Sequence, residues 1–371
     1  MIRRTFQYLE GLNTLRFFAA FLVIIYHAHG SLIKIGLMEN RSVPILDKGT
    51  DAVDFFFTLS GFLITYLLLK EINQSNDVSI KKFYIRRALR IWPVYFAIVL
   101  FRFFLYAVVY KLILHTPDTD FPIIKGFALY VFFLPNLAAI IYNVGLLHPL
   151  WSIGVEEQFY LFWAPLVKVF KTKIKYLLIG MLCISIIWYV LVYYNTLHFD
   201  LVATDFLLSQ KFYAMIIGAI FGYILFYHID FYDSSFLSCK LLQYCVLAFL
   251  LYYYVATDRL EDFSWLKLLM PVFYGIFILN VSAVKNKIIS LEKKPFIFLG
   301  EISYGLYMYH MVIDFFLRKG FQKLANHHIN QFVLITMYFI LIIGGSILLS
   351  FISYKYFESW FLKIKHKFSI V

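Results

Sequence analysis

The sequence predicts an all-α polytopic membrane protein, and three observations carry that prediction. Of 371 residues, 62% are hydrophobic and only 15% charged, where soluble domains run near a quarter charged. Mean hydropathy is +0.76. The apolar runs are long, rich in Leu, Ile and Phe, and lack the strict alternation of barrel strands. A soluble globular protein is thereby excluded. At roughly 20 residues per crossing, the length admits about ten spans joined by short loops. No polar stretch is long enough for an extramembrane domain, so one membrane-embedded domain over 1–371 is expected.

Taken in order, the expected spans are 12–33, 51–70, 91–114, 149–168, 176–195, 211–228, 241–257, 265–284, 295–317 and 331–354. One further apolar segment, 121–142, contains Pro135-Asn136, which breaks a helix near its middle. It is expected to be re-entrant or interfacial. With that assignment and a cytoplasmic N-terminus, most of the 34 Lys and Arg residues fall inside; a full crossing inverts every later segment and reverses the bias. Both termini are therefore expected in the cytoplasm. The net charge of +12 is then membrane anchoring, with no nucleic-acid partner. The basic start before the first apolar run mimics a signal peptide, but the run carries Arg16 and His27 and reads as a retained span. Cys183, Cys239 and Cys245 have neither ligand nor disulfide spacing and are expected to be inert core residues. No metal site is expected.

Ionisable groups inside a span are costly and mark function by default. Arg16 and His27 are eleven positions apart, which at 100° per residue leaves them about 20° from alignment and about 16 Å apart along the axis. One helix face thus carries a cation toward the cytoplasm and an imidazole toward the outside. That arrangement suits a long anionic ligand entering from the cytoplasm. His29 points elsewhere and is expected to be structural. On the second span Asp54 lies near the level of His27, where a carboxylate orients an imidazole and supports its charged form.

The fourth span opens with Trp151-Ser152-Ile153-Gly154-Val155-Glu156-Glu157-Gln158-Phe159-Tyr160. Ser152, Glu156 and Tyr160 share one face at i, i+4 spacing, and Glu157 lies about 100° round. Glu156 joins His27, Arg16 and Asp54 as a candidate catalytic residue. Trp151, Ser152, Glu157, Tyr160 and the intramembrane His310 are candidate substrate-binding residues. Before the third span, Arg86 and Arg90 share a face and Arg87 nearly does, a cluster suited to several phosphate oxygens on the same side as Arg16. Bland roles compete with these assignments: snorkelling for Arg16, a satisfied core histidine for His27, a solvated interface residue for Asp54, a structural carboxylate for one of Glu156 and Glu157, and anchoring or headgroup contact for the arginine cluster.

These residues resemble the integral-membrane acyltransferase-3 family, which includes bacterial O-acetyltransferases of O-antigen, capsule, exopolysaccharide and Nod factors. The resemblance rests on Leu15-Arg16 with His27, on Val53-Asp54-Phe55-Phe56 through Ser60-Gly61-Phe62-Leu63-Ile64, and on Arg86-Arg87-Ala88-Leu89-Arg90-Ile91-Trp92-Pro93. It continues with the Trp151–Tyr160 segment and Leu299-Gly300-Glu301-Ile302-Ser303-Tyr304-Gly305-Leu306-Tyr307-Met308-Tyr309-His310. It implies acetyl-CoA as the cytoplasmic donor, a sugar hydroxyl of a surface glycan or lipid-linked sugar as acceptor, and an essential Arg16–His27 pair. The arginine cluster carries over onto Arg86, Arg87 and Arg90 as the donor site. The bacterial inner membrane is the implied location. Some members append an SGNH-type domain; none is fused here, so a stand-alone enzyme is expected unless a homo-oligomer or accessory transferase completes it. The competing class is a flippase or transporter of lipid-linked sugars, which favours two related halves that this sequence does not display. A second alternative keeps the chemistry and changes the donor, for instance to succinyl-CoA.

Overall fold

The computed structural model describes residues 9–41, 43–108, 123–142, 144–255, 264–325, 327 and 329–368. In chain order the helices are α1 (Leu12–Lys34), α2 (Pro44–Asp47), α3 (Gly49–Ser75), α4 (Ile80–Phe104), α5 (Ile123–Val131), α6 (Pro135–Ile141), α7 (Leu150–Val169) and α8 (Ile174–Tyr193). They continue as α9 (Leu201–Ser209), α10 (Phe212–Asp233), α11 (Lys240–Val255), α12 (Ser264–Ser282), α13 (Lys294–Glu301), α14 (Ser303–Leu324), α15 (Gln331–Ser353) and α16 (Ser359–His366). No strand occurs among the described residues. The helix ends follow local chemistry. Asn76 closes α3 in the left-handed conformation with its N–H on the Ile72 carbonyl at 2.8 Å. The Asn330 side chain opens α15 by accepting from the Phe332 N–H at 2.9 Å.

Seven helices among the described residues are long and apolar enough to cross a bilayer, and α13 with α14, bent by 66°, makes an eighth when taken as one span. The expected ten exceed this by α7, whose apolar run carries Glu156, Glu157 and Lys168, and by α11, which is 16 residues long. The ends of the expected spans 91–114 and 241–257, and the first two residues of 121–142, lie outside the described residues.

The segment 121–142 is broken. α5 and α6 are separated at 132–134, where Phe133 takes φ 54°, and at 1.5 Å per residue neither helix reaches half of a 30 Å hydrocarbon core. Pro135 starts α6 rather than interrupting it. A helix broken inside a membrane frees backbone groups that need new partners. Gln158 of α7 supplies one, donating to the Phe133 carbonyl at 2.8 Å and to the Asn136 side-chain oxygen at 3.1 Å. One turn earlier, a Cβ on Gly154 would lie 2.5 Å from Pro135 Cδ. Glycine there lets α6 sit against α7 and brings the broken segment within reach of Gln158.

At the centre, α3 crosses α10 with backbones in contact: a Cβ on Gly61 would lie 1.8 Å from the Met215 carbonyl oxygen, and one on Gly218 would lie 1.9 Å from that of Thr58. Around this crossing Phe57, Phe62, Tyr95, Phe159, Trp163 and Met215 form the main core. The opposite face of α1 packs Ala20, Ile24, Ala28 and Leu32 against Leu306, Tyr338 and Ile342 of α14 and α15. Asp314 locks that junction by accepting from Ser31 at 2.9 Å and from Tyr338 at 2.7 Å. α1 therefore stands between two packed bodies, with its Arg16–His27 face at the seam. The cysteines are not core residues as expected. Cys183 and Cys245 are exposed on the apolar outer surface, because the helices that carry them are peripheral, and Cys239 is half-buried.

Candidate active site

A cavity of about 580 Å³ lies between α1, α3, α4, α7, α14 and α16. α14 lays out its long axis by presenting Tyr304, Tyr307 and His310 at three-residue spacing, one helix face in successive turns. The Tyr304 ring lies 5.9 Å from the Arg90 guanidinium. The Tyr307 hydroxyl lies 2.7 Å from Ser152 Oγ. The His310 ring lies 5.1 Å from that of His27. The cavity lining therefore runs from a cationic end to Ser152 and Tyr307, and the imidazole cluster lies one turn of α14 beyond it.

At the cationic end, Arg16, Arg87, Arg90 and Lys365 line the space. Arg16 donates to Asn13 Oδ1 at 3.1 Å, and the buried Arg87 Nε has no hydrogen-bond partner among the described residues. None of the four cations forms an ion pair with a carboxylate among the described residues. Like charges gathered among helices are costly unless a counter-anion joins them. Midway, the Tyr160 hydroxyl donates to Glu156 Oε2 at 3.0 Å and is also hydrogen-bonded to Ser60 Oγ, so the shared face of α7 meets the small residues of α3. Beyond the cavity lining, His27 lies between His310 and His148, whose ring is 5.9 Å away. His310 is fully buried, and neither of its ring nitrogens has a partner among the described residues. No group of side chains suited to holding a metal ion occurs among the described residues.

The structure thus gathers Arg16, Arg87, Arg90, Ser152, Glu156 and Tyr160 around the cavity, with Glu301 also in its lining, and gathers His27 and His310 in a separate imidazole cluster beyond that lining. It does not bring Asp54 to His27. The Asp54 carboxylate accepts from Lys211 Nζ at 2.7 and 2.9 Å, on the side of α3 that faces α10. Asp54 points about 200° round α3 from Phe56, which lines the cavity. Arg86 is likewise outside the cavity: it donates to Glu71 Oε2 at 2.7 Å and to the Phe368 carbonyl at 3.1 Å. Glu157 accepts from Trp92 Nε1 at 3.0 Å, and Trp151 packs edge-on against Phe57, both outside the cavity lining. His29 is structural, with Nδ1 3.1 Å from Asp47. Sequence reasoning missed Tyr304, Tyr307, His148 and Lys365. The three-residue spacing that ends on His310 was a legible signal for the tyrosines, and so was the position of His148 directly before Pro149. Lys365, beyond the last span, offered no signal.

The acyltransferase-3 family profile, described as an acyltransferase domain, matches residues 9–354. The chain is 31% identical to the peptidoglycan O-acetyltransferase OatA of Listeria monocytogenes over 198 residues, which are 49% of this chain and 29% of that protein. It is 24% identical to the O-acetyltransferase OatA of Staphylococcus aureus over 375 residues, 95% of this chain and 57% of the relative. The chain thus spans little more than half the length of these relatives, or less. No solved structure matches significantly.

Proposed function

The chain belongs to the acyltransferase-3 family and is a multi-pass membrane acyltransferase, and on that premise we propose that it moves an acetyl group from cytoplasmic acetyl-CoA to a glycan hydroxyl on the outer side of the bacterial cytoplasmic membrane. The observation that carries this reading is the set of cations without ion-pair partners among the described residues, at one end of a cavity whose lining extends to Tyr307, one turn of α14 before His310 and its neighbour His27. Coenzyme A is the matching shape: a phosphate-rich head for Arg16, Arg87 and Arg90, and an arm whose reach of roughly 15–20 Å by extended-chain geometry is comparable with the Arg16–His27 rise of about 16 Å. With the phosphates at the cations, the thioester lies near His27, and the apolar wall and the Tyr160–Glu156 pair flank the arm. The acceptor class follows the O-acetyltransferase names of the relatives, one of which names peptidoglycan.

In this mechanism His27 removes the proton of the acceptor hydroxyl as its oxygen attacks the thioester carbonyl. The carbon–sulfur bond breaks, the acetyl ester forms, and the coenzyme leaves as a thiolate that takes up a proton. Ser152 and Tyr307 are hydrogen-bonded to each other at 2.7 Å and Tyr307 donates to the Pro149 carbonyl at 3.0 Å, so the pair ties α14 to the start of α7 along the wall of the cavity. The His310 and His148 rings hold the His27 ring from two sides. The test is transfer of labelled acetyl from acetyl-CoA to a glycan acceptor by purified protein. His27→Ala at equal folded abundance should lower the rate by about 10²–10⁴-fold, the range of general-base catalysis; undiminished transfer refutes the assignment.

A further inference from the structure

The last helix, α16, lies beyond the family match, which ends at residue 354. It nevertheless forms part of the cavity wall, contributing Lys365 and His366 beside Arg16, Arg87 and Arg90. Two features bring it there. The first is a π turn at Tyr354–Glu358, between α15 and α16. A π turn inserts one residue, which rotates everything after it by about 100° relative to an unbroken helix. The turn is pinned from α14: Ser353 Oγ donates to the buried Glu358 carboxylate at 3.0 Å and is hydrogen-bonded to the Tyr309 hydroxyl at 2.8 Å. The resulting rotation has a visible consequence, since Lys365 is half-buried at the cavity whereas Lys363 and Lys367 are exposed.

The second feature is a latch. Glu71 of α3, nearly fully buried, holds Arg86 at 2.7 Å and caps the start of α4 by accepting from the Ser79 N–H at 2.7 Å. Arg86 in turn reaches the Phe368 carbonyl just past the end of α16. A short basic segment over the cationic mouth is thus held at its start from α14 and at its end by a chain of contacts from α3 through Arg86. Segments that only anchor a protein to headgroups spread their cations outward; this one turns Lys365 inward toward three unpaired arginines, where a cation is repelled unless an anion is shared among them.

We propose that α16 is the cytoplasmic wall of the donor site, that Lys365 binds a phosphate of the acyl-CoA donor, and that Arg86 is a positioning residue that holds the segment in place. This rests on the reading of acyl-CoA as donor. The test compares acetyl-CoA with S-acetylpantetheine, which keeps the thioester and lacks the phosphates, in steady-state transfer by the full-length purified protein. For Lys365→Ala, and for Lys365→Gln as a second variant, KM for acetyl-CoA should rise about tenfold with kcat within twofold of wild type. Lys365→Arg should restore KM, Lys363→Ala should leave it unchanged, and KM for S-acetylpantetheine should be the same in all. An unchanged KM for acetyl-CoA in both Lys365 variants overturns the proposal while leaving the donor assignment intact. An equal rise for both donors also overturns it, because a distorted fold and not a lost phosphate contact then explains the effect. Failure of the wild-type protein to bind or use acetyl-CoA overturns the donor assignment itself, and Lys365 with it.

Discussion

Two groups of buried charge in this protein differ in one respect, and that difference separates scaffold from site. Where α3 meets α10, α4 and α11, each charge has a partner: Asp54 with Lys211 at 2.7 Å, Arg86 with Glu71 at 2.7 Å, and Asp51 with the Tyr253 hydroxyl at 2.9 Å. At the cavity mouth Arg16, Arg87, Arg90 and Lys365 have no carboxylate partner among the described residues. Burial alone therefore does not identify function here. A paired charge is satisfied by the fold, whereas a cavity whose four cations outnumber its two carboxylates, Glu156 and Glu301, and pair with neither is suited to an anionic ligand.

Breaking a pair should damage the fold more than the chemistry. Asp54→Asn leaves Lys211 buried without its counter-charge, at a cost of about 3–5 kcal/mol. Folded abundance in the membrane should fall, and the double change Asp54→Asn with Lys211→Met should recover most of it. On the unpaired side the sign reverses. Arg87→Ala with Arg90→Ala should lower kcat/KM for acetyl-CoA by about 10²-fold or more, since each hydrogen bond to a charged group contributes about 1.5–3 kcal/mol. The melting temperature without donor should hold or rise, because like charges have been removed. A fall in stability matching the loss of activity would erase the distinction between the two regions.

Smaller changes sharpen it. Gln158→Ala strips the Phe133 carbonyl of its donor at the broken segment and should cost about 1–3 kcal/mol, read as a lower melting temperature at equal KM. The smallest effect belongs to Asp77 in the loop between α3 and α4. Its carboxyl is held below the usual carboxylate range by the hydrogen bond from Lys168 at 2.8 Å and then by the Val78 N–H. A lowered folded-state pKa stabilises above the unfolded value of about 3.9, and that contribution is lost as pH falls through the folded value. Asp77→Asn should therefore lower the melting temperature slightly at pH 7, with the difference shrinking below pH 4.

The sequence pattern made most of the spans and the broken 121–142 segment legible, because each depends only on the pattern within one stretch of chain. Contacts between helices were less accessible. The direction of Asp54 is set by the glycine-mediated crossing of α3 and α10, which draws Lys211 to it. Among the arginines, Arg86 and Arg90 were grouped by their four-residue spacing, yet Arg87 and Arg90 line the cavity and Arg86 turns to Glu71. Lys365 could not be read at all, since a π turn at 354–358 decides which way it faces.

The most direct measurement of the central claim is donor-induced stabilisation of the purified protein. A ligand that binds only the folded state stabilises it by RT ln(1 + [L]/Kd). Acetyl-CoA should raise the melting temperature of the wild-type protein, S-acetylpantetheine should raise it far less, and the shift with acetyl-CoA should be lost in Arg87→Ala with Arg90→Ala. No shift with acetyl-CoA, or a shift of the same size in the arginine variant, would contradict the assignment of the unpaired cations to the donor's phosphates.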